Sequence, residues 1–275
     1  NSYKDEKNSI ANKISDYIIK KGGSCVVLNN VDTATGQYRV ILEEQVPGNL
    51  ECVITIGGDG TLLHAAKDLE KLDVIFIGVN KGTLGFLAEI SPEEMEGSID
   101  RLLNDRFNVE SRMMLCGQVI RNNEVVYKSN VLNDIVIHRG GDMAISNFDV
   151  YVNGQLLGKF QADGIILSTP TGSTAYNLSA GGPVARPDSH MIILTPICPH
   201  SIGTRSILLS RNDEIEVIIG PSRTPNEENR KIAFDGDGIF NIVSEDRIYE
   251  AVETTEIAKL DEGSFLQVIK DKLGD

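Results

Sequence analysis

The stretch "VITIGGDGTLLHAAK", residues 53–67, decides the fold. Residues 53–56 are a β-branched run ending on Gly57 and Gly58, and from Thr61 onward Leu62, Leu63, Ala65 and Ala66 recur at helical spacing. The pattern predicts a strand, a tight turn and a helix. Such a turn aims amide N–H groups and the positive end of a helix dipole at whatever lies above it. Yet the tip of this turn carries a carboxylate, Asp59, which would repel a phosphate. Two readings stand at this point. Either Asp59 or Thr61 caps the helix of an ordinary turn, or Asp59 is held there for chemistry.

Working outward, 275 residues are enough for two domains with separate cores. The formal net charge of -14, from 26 Lys plus Arg against 40 Asp plus Glu, argues against nucleic acid or an anionic membrane as partner through long-range attraction. A polyphosphate ligand would have to be recognised locally, by amides, hydroxyls and a divalent cation. Cys25, Cys52, Cys116 and Cys198 are scattered, with no pair at zinc or redox spacing, and read as reduced thiols. No apolar run reaches membrane-spanning length, and the opening "NSYKDEKNSI" is too polar for a signal peptide, so a cytoplasmic location is expected.

Residues 9–21 carry Ile10, Ile14, Ile18 and Ile19 at helical spacing and close on Gly22-Gly23. Strands are expected at 25–28 and 74–79 and a helix at 92–103, an alternation that argues an α/β domain with a parallel sheet. A first strand is expected to lie outside the numbered chain. Beyond residue 104 the period changes. "MMLCGQVI", "EVVYKSNVLNDIVIH", "NFDVYVNGQLLGKFQ", "ADGIILSTP" and "EIEVIIG" read as short antiparallel strands with turn pairs at Asn122-Asn123 and Asn153-Gly154. The expected organisation is an α/β domain over 1–104, a mainly antiparallel, β-sandwich-like domain over 105–249, and a segment 250–275 that packs back on the first.

Three further places resist a purely structural account. Asn133 and Asp134 interrupt an apolar strand, where one of two neighbours must face the interior or a cleft; a hydrogen-bonded structural role and a ligand contact are both open. Residues 162–183, "ADGIILSTPTGSTAYNLSAGGP", hold Thr169, Thr171, Ser173, Thr174, Tyr176 and Ser179 without a charge between Asp163 and Pro183. That suits a neutral, hydroxyl-rich ligand, with Tyr176 as a stacking face and Asp163 as an acceptor for an exocyclic amino group; a cluster of helix caps is the alternative. "AFDGDGIF", residues 233–240, repeats the glycine-flanked acid and reads first as a hairpin turn. Among the histidines, His64 follows Asp59 by five residues and could face the same cleft; none has metal spacing.

Taken in order, "GGDGTLL", "NKGTLGFLAEI", "NVLNDIVIHRG" and "DGIILSTPTGSTAYNLSAGGP" resemble a bacterial NAD kinase across most of the chain. The first motif is shared with diacylglycerol and sphingosine kinases; the fourth is the specific one. The resemblance implies transfer of the terminal phosphate of ATP, or of polyphosphate, to the 2′-hydroxyl of the adenosine ribose of NAD. It implies Mg²⁺ or another divalent cation with the donor, and a homodimer or homotetramer. It places Asp59 on the catalytic base with Gly60 beside it, Asn133 and Asp134 on the NAD-binding pair, and Thr174, Ala175, Tyr176 and Ser179 around the adenosine. Asp163 falls on a dinucleotide contact. The chain departs from the family at Gln161, where some relatives have a basic residue, and at Asp237, where Gln is common. The absence of a Walker lysine fits this family, leaving charge neutralisation to the metal. An inactive dinucleotide sensor, or a lipid kinase sharing the turn, are the alternatives.

Overall fold

The computed structural model describes residues 5, 8–31, 37–80, 85–140, 145–221, 230–260 and 265–273. Residues 81–84, inside the quoted "NKGTLGFLAEI", lie outside them. The first elements are α1 (Ser9–Lys20), β1 (Cys52–Gly57), α2 (Asp59–Asp68), β2 (Ile75–Asn80), β3 (Ala88–Ile90) and α3 (Met95–Leu102). Then come β4 (Asn108–Arg121), β5 (Glu124–Val131), β6 (Asp134–His138), β7 (Ser146–Val152), β8 (Gln155–Ala162) and β9 (Gly164–Ser168). The chain continues through α4 (Tyr176–Ser179), β10 (Met191–Ile197), β11 (Ile207–Ser210), β12 (Ile215–Ile219), β13 (Lys231–Phe234) and β14 (Asp237–Asn241). It closes with β15 (Arg247–Lys259) and α5 (Phe265–Leu273). Two compact units form, residues 1–111 with 255–275, and residues 112–254.

In the first unit β1 and β2 run parallel in the register Cys52↔Ile75 to Gly57↔Asn80, and β3 and the end of β15 pair with β2, also in parallel. Ile14 and Ile18 of α1 and Met95 and Ile99 of α3 share one core with Ile77, Val79, Ile90 and Ala258. The start of α1 is held by Asp5, whose carboxylate accepts the N–H groups of Ile10 and Ala11 at 2.9–3.1 Å. Its end closes on Gly22, at φ 92°, and on the Gly23 N–H donated to Ile18 O, a glycine stop read from the sequence. The expected strand at 25–28 does not form: Val26, Val27 and Leu28 are exposed and pair with no strand among the described residues. β-branched composition supplies propensity but not a neighbour. The helix expected over 92–103 is shorter, as the residues after Pro92 first make a turn.

The second unit is a sandwich. One sheet runs β11-β10-β9-β6-β13-β14, every pair antiparallel. The other brings β7, β8, β12 and the first part of β15 together, also antiparallel, with β4 pairing β5 and β15. Between them lie Phe148, Val150, Ile215 and Val217 from one side and Ile135, Ile137, Leu167, Ile192 and Phe234 from the other. The alternation that marks a half-buried strand therefore reads correctly in β6: Ile135 and Ile137 face this core, and Val136 faces a smaller cluster with Ile166 and Ile197 on the opposite side. The hairpin turns carry the left-handed pairs that two-residue turns require, Asn122-Asn123 at φ 53° and 65° and Asn153-Gly154 at 51° and 75°.

All four cysteines are free, and burial, then the Glu51 charge, pushes the Cys52 thiol up to about 12. No helix of the described residues is long and apolar enough to cross a membrane.

One core position breaks the pattern. Glu250 lies on β15 opposite Ile215, on the strand face that also carries Ile248, and is 3% exposed. Among the described residues neither of its carboxyl oxygens has a hydrogen-bond partner, and burial pushes its pKa up to about 8. The folded chain thus keeps a proton that the unfolded chain releases above about pH 4.5. The stability this proton carries is complete below pH 4.5, declines as pH rises, and is lost by about pH 8. Glu250→Met should remove that slope and raise the thermal midpoint at pH 8 by at least about 3 °C. Thermal melts of both proteins at pH 5.5 and pH 8.5 check this; parallel melts at the two pH values would refute it.

Candidate active-site residues in each unit

The turn after β1 is built by sterics before it can do chemistry. Gly57 must lack a side chain because a Cβ there would stand 2.2 Å from the Thr61 hydroxyl, and Gly58, in extended conformation, is the N-cap of α2. Asp59 is the first helical residue, and neither it nor Thr61 caps the helix through its side chain. Its carboxylate reaches instead to a distant segment, accepting the N–H of Phe86 on Oδ2 at 2.7 Å and those of Leu87 and Ala88 on Oδ1 at 3.1 Å each. The half-buried Asp59 is thus an acceptor for three consecutive amides, while Gly60 beside it is exposed and has open space where a side chain would begin.

His64, one turn further along α2, lies under the Tyr38 ring, with ring centres 3.8 Å apart and planes 21° off parallel. The Tyr38 hydroxyl donates to Asp68, which also accepts the Ile41 N–H at 2.7 Å. The aromatic stack covers a face of the imidazole and ties residues 38–41 to α2.

In the second unit, residues 132–134 enter β6 between two clamps. On one side Asp235 accepts the N–H groups of Leu132, Asn133 and Asp134 at 2.8, 2.8 and 3.0 Å, while its own N–H donates to Asp134 O. On the other, Thr169 donates its N–H to Asn133 O at 2.9 Å and its hydroxyl to Leu132 O at 2.6 Å. Gly172 packs so closely that a Cβ would lie 2.1 Å from Asn133 O. The Asn133 backbone is fully engaged, and its half-buried side chain has no hydrogen bond among the described residues. Asp134 is 4% exposed, on the face of β6 that α4 covers. Burial, then the Asp235 charge, pushes its pKa up to about 7, opposed by the backbone N–H of Tyr176.

Part of the hydroxyl-rich loop takes the structural reading left open by its sequence. Thr169, Thr171 and Ser173 are buried and occupied internally: Ser173 donates to Pro170 O, and Thr171 accepts from Arg112. Asn177, fully buried, ties Ser173 O to Pro183 O and accepts the Thr195 hydroxyl. What remains facing outward is Thr174, Ala175, the 41% exposed Tyr176 and Ser179. Tyr176 and Asp134 meet through the Tyr176 backbone N–H, so this outward edge and the Asn133-Asp134 pair are neighbours.

Gln161 and Asp163 stand elsewhere. The register Asp134↔Ser168 and His138↔Gly164 places Asp163 beyond the opposite end of β9, about 13 Å along the strand or more. There the Asp163 carboxylate pairs with the Arg139 guanidinium at 2.9 Å, and Gln161 is exposed. Asp237 starts β14, exposed, across the Asp235-Gly236 turn from Phe234, and it is Asp235 that turns inward. Sequence reading did not single out three groups that contact the candidate residues: Asp235, Arg139 and the amides of 86–88. The sequence holds two Asp-Gly pairs, 235-236 and 237-238, and the backbone, left-handed at Asp235 and Gly236 with φ 53° and 77°, is what puts the turn on the first.

Two family profiles match this chain, the ATP-NAD kinase N-terminal domain over residues 4–107 and the ATP-NAD kinase C-terminal domain over residues 132–256. The chain is 41% identical over 278 residues to an NAD kinase of Agathobacter rectalis, covering 100% of this chain and 96% of the relative. To an NAD kinase of Lachnospira eligens it is 39% identical over 287 residues, covering 99% and 97%. Among solved structures it is similar to yeast NADH kinase complexed with NADH, with a TM-score of 0.78 and 29% identity over 82% of this chain and 67% of that one. An NAD kinase from Archaeoglobus fulgidus in complex with ATP superposes with a TM-score of 0.77 over 96% and 94%, at 22% identity, which bears on the fold alone.

The Asp235 clamp yields a stability test independent of any ligand. Asp235→Ala leaves three consecutive amides without their charged acceptor and should cost about 2–4 kcal/mol in urea denaturation. A loss below about 1 kcal/mol would mean that water replaces the carboxylate at no net expense.

Proposed function

The chain belongs to the ATP-NAD kinase family, and on that premise we propose how its residues share the transfer of the terminal phosphate of ATP to NAD. The enzyme is a phosphotransferase with an alcohol group as acceptor, the 2′-hydroxyl of the adenosine ribose of NAD, and its product is NADP. The observation that carries the residue roles is the Asp59 carboxylate, half-buried at the start of α2 with three amides bound and acceptor capacity left over.

Asp59 orients the acceptor hydroxyl and receives its proton. Phosphoryl transfer passes through a loose transition state, so the demand on this group is positioning more than deprotonation in advance. The Asn133 side-chain amide and the Asp134 carboxylate bind the dinucleotide, and Thr174, Ala175, Tyr176 and Ser179 surround the adenosine, with the Tyr176 ring as a stacking face. Gln161, Asp163 and Asp237 are secondary contacts in this reading, Asp163 being shared with Arg139. Gly60 and His64 follow Asp59 on α2. A divalent cation, Mg²⁺ by preference, would arrive on the phosphates of ATP and neutralise their charge, as such ions keep several waters and bind through substrate. Among the described residues no three His, Cys, Asp or Glu side chains stand together as a resident metal site, and no step here runs through the metal. The assembly proposed is a homodimer or homotetramer, in the cytoplasm.

Asp59→Asn should lower kcat by about 10² to 10⁴ while NAD affinity changes by less than about tenfold. Retention of most of the activity in a coupled NADP assay with NAD, ATP and Mg²⁺ would remove Asp59 from the chemistry. The Asp134 carboxyl supplies a second test. Ribose hydroxyls donate to the ionised form, and its pKa is pushed up to about 7. NAD affinity should therefore strengthen as pH rises from 6 to 8, with proton release on binding at pH 6.5. Calorimetry in buffers of different ionisation enthalpy measures both; an affinity that is flat or falls with pH would detach Asp134 from the ligand.

A further inference from the structure

We propose that the backbone of residues 85–88 is the positioning device of Asp59, its three amides filling all but one acceptor position of the carboxylate and leaving that one, on Oδ2, for the substrate hydroxyl. The proposal rests on the reading of Asp59 as the group that receives the ribose hydroxyl.

A carboxylate offers about four acceptor positions, two on each oxygen. Leu87 and Ala88 both donate to Oδ1 at 3.1 Å, and Phe86 donates to Oδ2 at 2.7 Å. Oδ1 is thereby saturated, and among the described residues Oδ2 keeps one position. An unheld aspartate carboxylate turns freely about its terminal torsion, which is broad and roughly two-fold. Three bonds to successive amides of one segment stop that rotation before substrate arrives, so the ordering cost falls on folding and not on the reaction.

The site of Gly85 shows that the space was made for this carboxylate. A Cβ there would stand 1.8 Å from Asp59 Oδ1, 2.4 Å from Cγ and 2.6 Å from Oδ2. All three nearest atoms belong to the Asp59 carboxyl group, so any side chain at position 85 displaces that group. The far end of the segment is also fixed. Ala88 sits in register with Gly78 of β2, where a Gly78 Cβ would lie 2.7 Å from Ala88, so the two backbones close directly on each other. Asp59 hangs on β1 and its amide partners hang on β2, and the parallel register of those two strands sets the distance between them. Over the Phe86 ring stands the Lys272 ammonium of α5, 4.8 Å from its centre. The structure thus gives the glycine and the amides of this segment a task with no side-chain signature. It also means that Asp59→Asn does two things, since its NH₂ would face an amide donor.

The decisive variant is Gly85→Ala in the full chain. Expelling the carboxylate from its amides should lower kcat by about 10²-fold or more, with NAD affinity in calorimetry within about threefold of the parent. In the double variant Gly85→Ala/Asp59→Asn, kcat should lie within about threefold of Asp59→Asn alone, because both changes remove one function. Losses that multiply, or a Gly85→Ala enzyme with parental kcat, overturn the proposal. Hydrogen exchange gives a readout apart from activity and covers a Gly85→Ala chain that fails to fold. The amides of 86–88 should lose protection in Asp59→Ala while those of β2 keep theirs; unchanged protection overturns the proposal. Should Asp59→Asn itself retain activity, the catalytic reading fails, and hydrogen exchange still reports separately on the contact.

Discussion

When a chain turns out of a strand, several backbone N–H groups in a row lose the carbonyls that a ladder would supply, and they must be met by something else. In this protein an aspartate carboxylate meets them. Asp59 collects three amides from 86–88, Asp235 collects three from 132–134, and Asp5 collects two at the start of α1. Hydrogen bonds to an ionised acceptor are roughly twice as strong as neutral ones, so each such contact can pin a loop by itself. Part of the acidic excess that gives the chain its net charge of -14 is therefore internal scaffolding, and the question raised by a carboxylate on a phosphate-type turn has a local answer. The Asp59 turn does not present its carboxylate bare: the amides of 86–88 already face it.

The parts legible in the sequence were those with a period. The β-branched run and helical spacing of 53–67 fixed β1 and α2, alternation marked the sandwich strands, and Asn-Asn and Asn-Gly pairs marked their turns. What escaped was recognition by backbone. The partners of Asp59 are N–H groups 27 to 29 residues away, and every residue but proline has one. The choice between Asp235 and Asp237 hung on which residue occupied the turn, not on residue type. The segment 25–28 has strand composition without a partner, a property of the neighbours and not of those residues. Function was legible through the four motifs in order, far more than through any single residue.

The hydroxyl-rich loop shows how a polar composition is used up inside a fold. Its buried members, Thr169, Thr171, Ser173 and Asn177, hold the loop to 132–133, to Arg112, to Pro183 and to Thr195. Only with those bonds made does the outward edge, Thr174 to Ser179, acquire a fixed shape next to Asp134. In this segment the inner hydroxyls bind protein, and even at the outer edge the Thr174 hydroxyl donates to Thr171 O.

The Asp235 clamp also sets a clock. Its carboxylate secures amides that precede it by 101 to 103 residues, and β13, which carries it, pairs with β6. At roughly 5–20 residues per second of synthesis, Asp235 is made about 5–20 s after the pair it anchors. During that interval the nascent chain has Asn133 and Asp134 but not the hairpin that shapes them, and closing so long a loop makes this a late contact in folding as well. The backbone at Asn133 and Asp134 is consequently secured only once residue 235 exists, and an incomplete chain released before it lacks the carboxylate that holds those amides.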